Sequence, residues 1–474
     1  MSANLPVTLT HSSLRKQQGA VLMVMLVIII IGSAAFLVTS LNNSSQQIQR
    51  DKITADALAQ AKEALISYAA SVQISYSTAS NQPRPGDLPC PDTNDDGIAE
   101  PSCGDAAGSS QTSRLGRLPW KTLGIPELRD STGEHLWYAV SNNFKNNTRT
   151  ATLNSDTPGT ITVRSIEGNI LYNGCTSFGA SCPLPGALDA PYGTGAVAII
   201  IAPGSVMPRQ DGTQQDRSAA GINNPVNYLD NVTGVEDNAD FVDSTTNGFI
   251  QGPVKDVTGI VTIVNDQINV ITQDNIMQAV QKRVASEVKN CLDLYAINNY
   301  GRYPWAVPLN YIDPVIMSPS AAYDDKSGTL FGRIPSNMGY TKSDSVYMSV
   351  FMNDSWEPVC MTHTGITAST WWKQWREMVF YGVAKTYKPV SPPTTSPDCT
   401  PPGECLTVNP PSSVANNKYV VIVAGRIIGT QARTTAADKS TLNNYLEAPN
   451  NGGGISFSQN TPSSTFNDTV VYKQ

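Results

Sequence analysis

AVLMVMLVIIIIGSAAFLVTSL, residues 20–41, carries no charged side chain, and its reading decides how the rest of the chain is placed. Twenty-two helical residues at about 1.5 Å each span about 33 Å, enough for a bilayer core. Arg15 and Lys16 stand just before the run, which orients the N-terminus to the cytoplasmic side and exports everything after residue 41. No proline or glycine occurs from Ser33 to Asn81. The spacing therefore predicts one long helix, apolar all round at first and then amphipathic, with Leu58, Ala61, Leu65, Tyr68 and Val72 on one face.

The surrounding composition agrees with export. The chain has 474 residues, eight cysteines, 35 glycines, 32 prolines and only 15% charged residues. Cys90, Cys103, Cys175, Cys182, Cys291, Cys360, Cys399 and Cys405 are widely spaced with no CxxC pair, which reads as disulfides formed outside the cytoplasm. A net charge of −7 and the absence of basic runs argue against a nucleic-acid partner. Three histidines leave little room for histidine-based metal or acid–base chemistry.

The order basic pair, Gly19, long apolar helix resembles the class III leader of type IV pilins and pseudopilins. The resemblance implies cleavage by a prepilin peptidase between Gly19 and Ala20 and methylation of Ala20. It also implies insertion in the inner membrane, and assembly with other pilins or pseudopilins through the apolar helix. Loss of residues 1–19 removes two bases and no acids, taking the net charge to −9. The family's glutamate at the fifth mature position is missing, since Val24 stands there. A carboxylate in lipid needs a partner, and a subunit with no neighbour above it can lack one. That departure resembles tip-located minor members.

A second pattern runs through the exported part. Leu65, Tyr68 and Ala69 match Leu292, Tyr295 and Ala296. GRLP at 116–119 matches GRIP at 332–335, and EHLWYAV at 134–140 matches EMVFYGV at 377–383. Cys175/Cys182 matches Cys399/Cys405, and VAIIIA at 197–202 matches YVVIVA at 419–424. Asn227–Leu229 matches Asn444–Leu446, and Asn265-Asp266 matches Asn467-Asp468. The expected fold class is α+β: a long N-terminal transmembrane-plus-amphipathic helix followed by two duplicated pilin-like lobes, each a helix on an antiparallel sheet. The expected boundaries are a leader at 1–19, the apolar helix at 20–41, a first lobe at 42–270 and a second at 271–474. The repeat pairs Cys175 with Cys182 and Cys399 with Cys405, leaving Cys90–Cys103 and Cys291–Cys360 as the simplest remaining bridges.

Two stretches carry candidate chemistry. Asp92, Asn94 and Asp96 before Gly97, with the Ile98 carbonyl, resemble the first half of a calcium loop, so calcium is the one candidate cofactor. An acidic Asx-rich turn is the alternative, since Cys103 occupies the place of the bidentate acid. Trp371, Trp372 and Trp375 are either a core face or an aromatic patch for a partner. His135 reads as a packing position. No catalytic constellation is visible, and the chain is expected not to be an enzyme. The expected role is a large minor pilin at a type IV pilus tip, priming assembly or mediating adhesion. The alternatives are a tip pseudopilin of type II secretion and an uncleaved membrane-anchored periplasmic binding protein.

Overall fold

Short runs of β-branched and aromatic residues between turn residues, such as WYAV at 137–140 and YVVIV at 419–423, form strands whose every side chain is buried. In the computed structural model the described elements, in chain order, begin with α1 (Gln18–Ser71), β1 (Leu115–Arg117), α2 (Trp120–Leu123), β2 (Trp137–Val140), β3 (Thr162–Arg164) and β4 (Ile170–Tyr172). They continue with β5 (Ala198–Ala202), β6 (Asn231–Val232), β7 (Glu236–Asp237), β8 (Gly248–Ile250), β9 (Val254–Lys255), β10 (Thr262–Val264), β11 (Gln267–Ile271) and α3 (Gln273–Ile297). The remainder is β12 (Phe331–Arg333), α4 (Thr370–Trp375), β13 (Val379–Val383), β14 (Leu406–Asn409), β15 (Val414–Asn417), β16 (Tyr419–Val423), α5 (Ala436–Lys439), β17 (Ser456–Ser458) and β18 (Thr469–Lys473). The structure describes residues 18–73, 83–104, 113–146, 152–175, 195–218, 221–240, 248–256, 258–259, 261–309, 323–335, 338, 370–390, 397–399, 404–409 and 414–474. Within α1, side chains are described from residue 45 onward and at Met25 and Leu26.

One strand order occurs twice. β1-β2-β5-β11 and β12-β13-β16-β18 are four-stranded and antiparallel throughout. Each is accompanied by a three-stranded sheet, β4-β3-β8 and β15-β14-β17, whose central strand pairs antiparallel on one side and parallel on the other. Two two-stranded ribbons, β6-β7 and β10-β9, belong to the first half. α3 lies on β16 and β18. Thr272 caps it in a reciprocal box with Asn275. Its buried stripe is Ile276, Val280, Val284, Val288, Leu292 and Tyr295, each side chain contributing roughly 1.5–3 kcal/mol by leaving water.

The expected fold class does not stand. The structure is a mixed α/β arrangement of several small sheets, and among the described residues no helix is long and apolar enough to cross a membrane. Of residues 20–41 only Met25 and Leu26 have described side chains, and the described remainder of α1 is amphipathic. Arg50, Asp51, Lys52 and Asp56 are exposed, and its buried face is the short stripe Ala57, Leu58, Ala61, Leu65 and Ala69. The halves are not separate lobes either. Residues 56–474 form one compact unit, and residues 1–55 are assigned to another. Tyr138 and Ile200 of the first four-stranded sheet share one apolar cluster with Val284, Trp371, Tyr381 and Val421. A single core is what two sheets and two helical stripes form when no water layer divides them.

Candidate functional site

Asp92 is almost fully buried beside β1, held by an antiparallel bridge to Arg117. Its Oδ1 accepts backbone N–H groups from Asn94, Asp95 and Asp96, and its Oδ2 accepts that of Gly97 at 2.6 Å. Asn94 Oδ1 accepts from Asp96, and Asp96 Oδ1 accepts from Ile98 at 2.7 Å. Burial pushes the Asp92 carboxyl above its ordinary range, while the four N–H donors pull the other way. Gly97 has φ +82, and a Cβ there would strike the Trp120 indole, so the sharp turn requires glycine. Lys121 donates its ammonium to the Asp96 carbonyl. The candidate ligands thus form stacked Asx turns closed on themselves. Among the described residues no group of three or more His, Cys, Asp or Glu is arranged to hold a metal. A millimolar calcium titration followed by thermal melting distinguishes a bound ion from a closed turn.

His135 is not a packing residue. Its Nδ1 meets Asp95 Oδ1 at 2.7 Å and its Nε2 meets Glu127 Oε1 at 2.5 Å. The ring therefore ties the loop at Asp95 to the segment after α2. Alternation along β2 suggested an apolar role, but His135 lies two residues before that strand begins. His363 lies outside the described residues.

The expected aromatic patch is interior. Trp371, Trp372 and Trp375 have 0% exposure and belong to the shared core. Trp371 and Trp372 pack edge to face, with centroids 5.6 Å apart. At about 100° per residue the three indoles share one face of α4, and that face is turned into the core, so these three side chains form no exposed aromatic patch.

Cys90–Cys103 and Cys399–Cys405 are disulfides, each with Cα atoms 5.6 Å apart. Cys175 and Cys291 are disulfide-bonded as well, while Cys182 and Cys360 lie outside the described residues. The junction Gly19–Ala20 falls in the first turn of α1, and its side chains, like that of Val24, are outside the described set.

The most developed polar chemistry is a buried network built twice. In the first half, Asp266 Oδ2 accepts from the Asp230 backbone and from Asn238 Nδ2, both at 2.8 Å. Asp230 accepts from the Asn265 backbone at 2.7 Å and from Gln215 Nε2 at 3.0 Å. In the second half, Asp468 Oδ2 accepts from the Glu447 backbone at 3.1 Å and from Asn450 Nδ2 at 2.9 Å. Glu447 accepts from the Asn467 backbone at 3.0 Å and from Gln431 Nε2 at 2.9 Å. Arg217 and Arg433 complete the two sets. Each donates to the glutamine (Gln215, Gln431) and to the tyrosine carbonyl (Tyr228, Tyr445), and each lies over that tyrosine ring. Burial first, and the neighbouring acid second, holds Asp266 and Asp468 well above the usual carboxylate range. In each pair the neighbouring acid adds to the upward push of burial, against the hydrogen bonds that favour the charged form.

Asn227–Leu229 and Asn265-Asp266 are visible as repeat anchors in the sequence, but their network is not. Its signal is the acid after each Asn-Tyr-Leu, Asp230 and Glu447, and the Gln-x-Arg before it, at 215–217 and 431–433. Asp230, Asp266, Glu447 and Asp468 are all buried. No family model, no curated protein and no solved structure matches the chain.

Proposed function

We propose that this chain is a large minor pilin-like subunit, a structural and interaction protein of a type IV pilus tip, with no chemistry of its own. The observation that carries the reading is the order Arg15-Lys16, Gly19, Ala20 followed by the charge-free run to residue 41. Support comes from disulfides that suit an exported head and from polar clusters spent on the protein's own backbone. The expected partners are other pilins or pseudopilins, prepilin peptidase and the inner membrane. A tip pseudopilin of type II secretion is the second reading, favoured by Val24 in place of the family's glutamate. N-terminal sequencing of the mature protein from its native cells tests the proposal. Methylated Ala20 is the expected terminus, and an intact residue 1–19 segment would overturn it in favour of an anchored binding protein. Loss of piliation against loss of secretion in a deletion strain separates the first two readings.

A further inference from the structure

His135 stands with a carboxylate oxygen on each side of its ring. Nδ1 lies 2.7 Å from Asp95 Oδ1, and Nε2 lies 2.5 Å from Glu127 Oε1. A ring nitrogen and a carboxylate oxygen come this close only with a hydrogen between them. A neutral imidazole carries one N–H, and its other nitrogen is an acceptor. The two contacts therefore need two protons among the three groups, and a neutral ring between two carboxylates supplies only one. Whether the second proton sits on the ring or on Glu127, the closed arrangement is the one that holds both.

The two carboxylates differ in what else they meet. Among the described residues the Asp95 carboxylate has His135 and no other partner. The Asp95 backbone is at φ +65, with its N–H spent on Asp92 Oδ1 at 2.7 Å. Glu127 has a second cation, because Arg129 Nη2 reaches the same Oε1. Arg129 belongs to the hairpin that carries His135: its Nη1 donates to the Gly133 carbonyl at 2.7 Å, and its backbone bridges to His135. With one proton gone, the remaining ring N–H is therefore best spent on Asp95, while Glu127 keeps Arg129.

The other charged groups on the surrounding elements are committed elsewhere. Lys121 of α2 donates to the Asp96 carbonyl, and Asp96 Oδ1 accepts from the Ile98 backbone at 2.7 Å. Glu134 is turned to Arg217 at 3.1 Å. Asp130 is buried and accepts from the backbones of Thr132, Glu134 and Gly204. The side chains of His135, Asp95 and Glu127 are 19%, 16% and 33% exposed, enough for water to take up or deliver the proton without unfolding.

We infer that Asp95, His135 and Glu127 form a proton-operated clasp. With two protons, the ring ties Glu127 to the loop that Cys90–Cys103 closes. When one proton passes to water, His135 stays on Asp95 through Nδ1–H and Glu127 turns to Arg129 alone. The clasp is closed in acid and opens as pH rises through the range in which histidine changes charge, about pH 5–8. It operates whether or not the chain belongs to a filament.

The test is nuclear magnetic resonance of the full disulfide-intact chain from about pH 5 to 9, with a calcium chelator present so that no ion in the neighbouring loop contributes. The Glu127 amide resonance is expected to shift together with the His135 ring nitrogens, the Asp95 amide is expected to move much less, and the neutral ring is expected to be the Nδ1–H tautomer. Glu127→Gln is the discriminating variant. Its amide can donate to a bare Nε2 or accept from a protonated one, so the contact survives at both ends of the range and the shift at residue 127 disappears while the ring still titrates. His135→Gln is expected to remove the shift as well, which separates the clasp from buried acids with raised carboxyls such as Asp266. A Glu127 amide that stays still while the ring titrates, a ring that does not titrate by about pH 9, an Nε2–H tautomer, or a shift that persists in either variant would overturn the inference.

Discussion

Asp468 shows how one side chain ties stability to pH. It is buried near Glu447, and its Oδ2 accepts from the Glu447 backbone and Asn450. Burial first, and Glu447 second, raises its carboxyl, so the folded protein releases that proton at higher pH than the unfolded chain, which titrates near pH ~3.9. A raised carboxyl makes the folded state bind more protons, so stability is greatest in acid and falls as pH rises from about 4 towards the folded value. Asp266 beside Asp230 adds to the same slope. Asp468→Asn is the discriminating substitution. An amide oxygen can accept the two N–H bonds, as the acid does. We expect it to cost no more than about 1 kcal/mol at pH 7 and to flatten the pH dependence, whereas Asp468→Ala strands those donors and costs about 2–4 kcal/mol. Denaturant midpoints at pH 5 and pH 8 check both, and an unchanged slope in Asp468→Asn would show that the proton sits elsewhere. Little of this was legible in advance. Asn467-Asp468 is a visible repeat, but a sequence shows which residues recur and not which of them lose water together. His135 failed for a related reason: its role depends on Asp95 and Glu127, which approach it only once the loop has turned.

At the scale of elements the repeat was more readable, because it rests on strand-sized runs. GRLP and GRIP lie at the ends of β1 and β12, WYAV and VFYGV are β2 and β13, and Asn265-Asp266 and Asn467-Asp468 each precede the last strand of a four-stranded sheet. Alternation and turn residues are local, so they survive in a sequence. The breaker-free run was legible as well: it is helical over Gln18–Ser71, and Leu58, Ala61 and Leu65 of the expected face are buried. What does not stand is the membrane-spanning part of the expected fold class, since no helix among the described residues is long and apolar enough to cross a membrane. The glycines of the two edge strands yield the prediction proper to this scale. The Asp92 backbone bridges to Arg117 and the Val307 backbone to Arg333, each carbonyl crossing close over the preceding glycine. A Cβ on Gly332 would collide with the Val307 carbonyl, and one on Gly116 with that of Asp92. Neither clash is with a flexible side-chain end, so relief requires the bridge to open. Gly332→Ala and Gly116→Ala should each cost about 2–4 kcal/mol, while Gly452→Ala, with open space around it, should change little. Thermal melts of the three variants decide the matter, and equal melting temperatures would show that the bridges are dispensable.

Across the whole unit 56–474, the halves are joined by more than apolar contact. A loop of the first half reaches into the second. Ser155 donates to the Ala424 carbonyl at 2.6 Å and accepts from Gln281, while Asp156 accepts from Arg433 at 2.8 and 3.0 Å and from the Ile427 backbone at 3.1 Å. Arg433 is buried and belongs to the second copy of the buried acid network. The seam is thus wired to the network, and a disturbance on one side reaches the other. Two domains meeting at a polar interface would melt separately, but one core sealed by a half-buried ion pair should melt once. We expect calorimetry of the disulfide-intact protein to give a single transition for this unit, with calorimetric and van't Hoff enthalpies in agreement. Asp156→Ala should lower its midpoint without splitting it, at a cost of about 3 kcal/mol, because it leaves the Arg433 guanidinium buried beside an empty place. Asp156→Asn should cost less, since the amide oxygen still accepts from Arg433 although the charge is gone. Two resolved transitions, or an Asp156→Ala protein whose halves unfold independently, would mean that the halves are domains after all and that the shared cluster is only a contact between them.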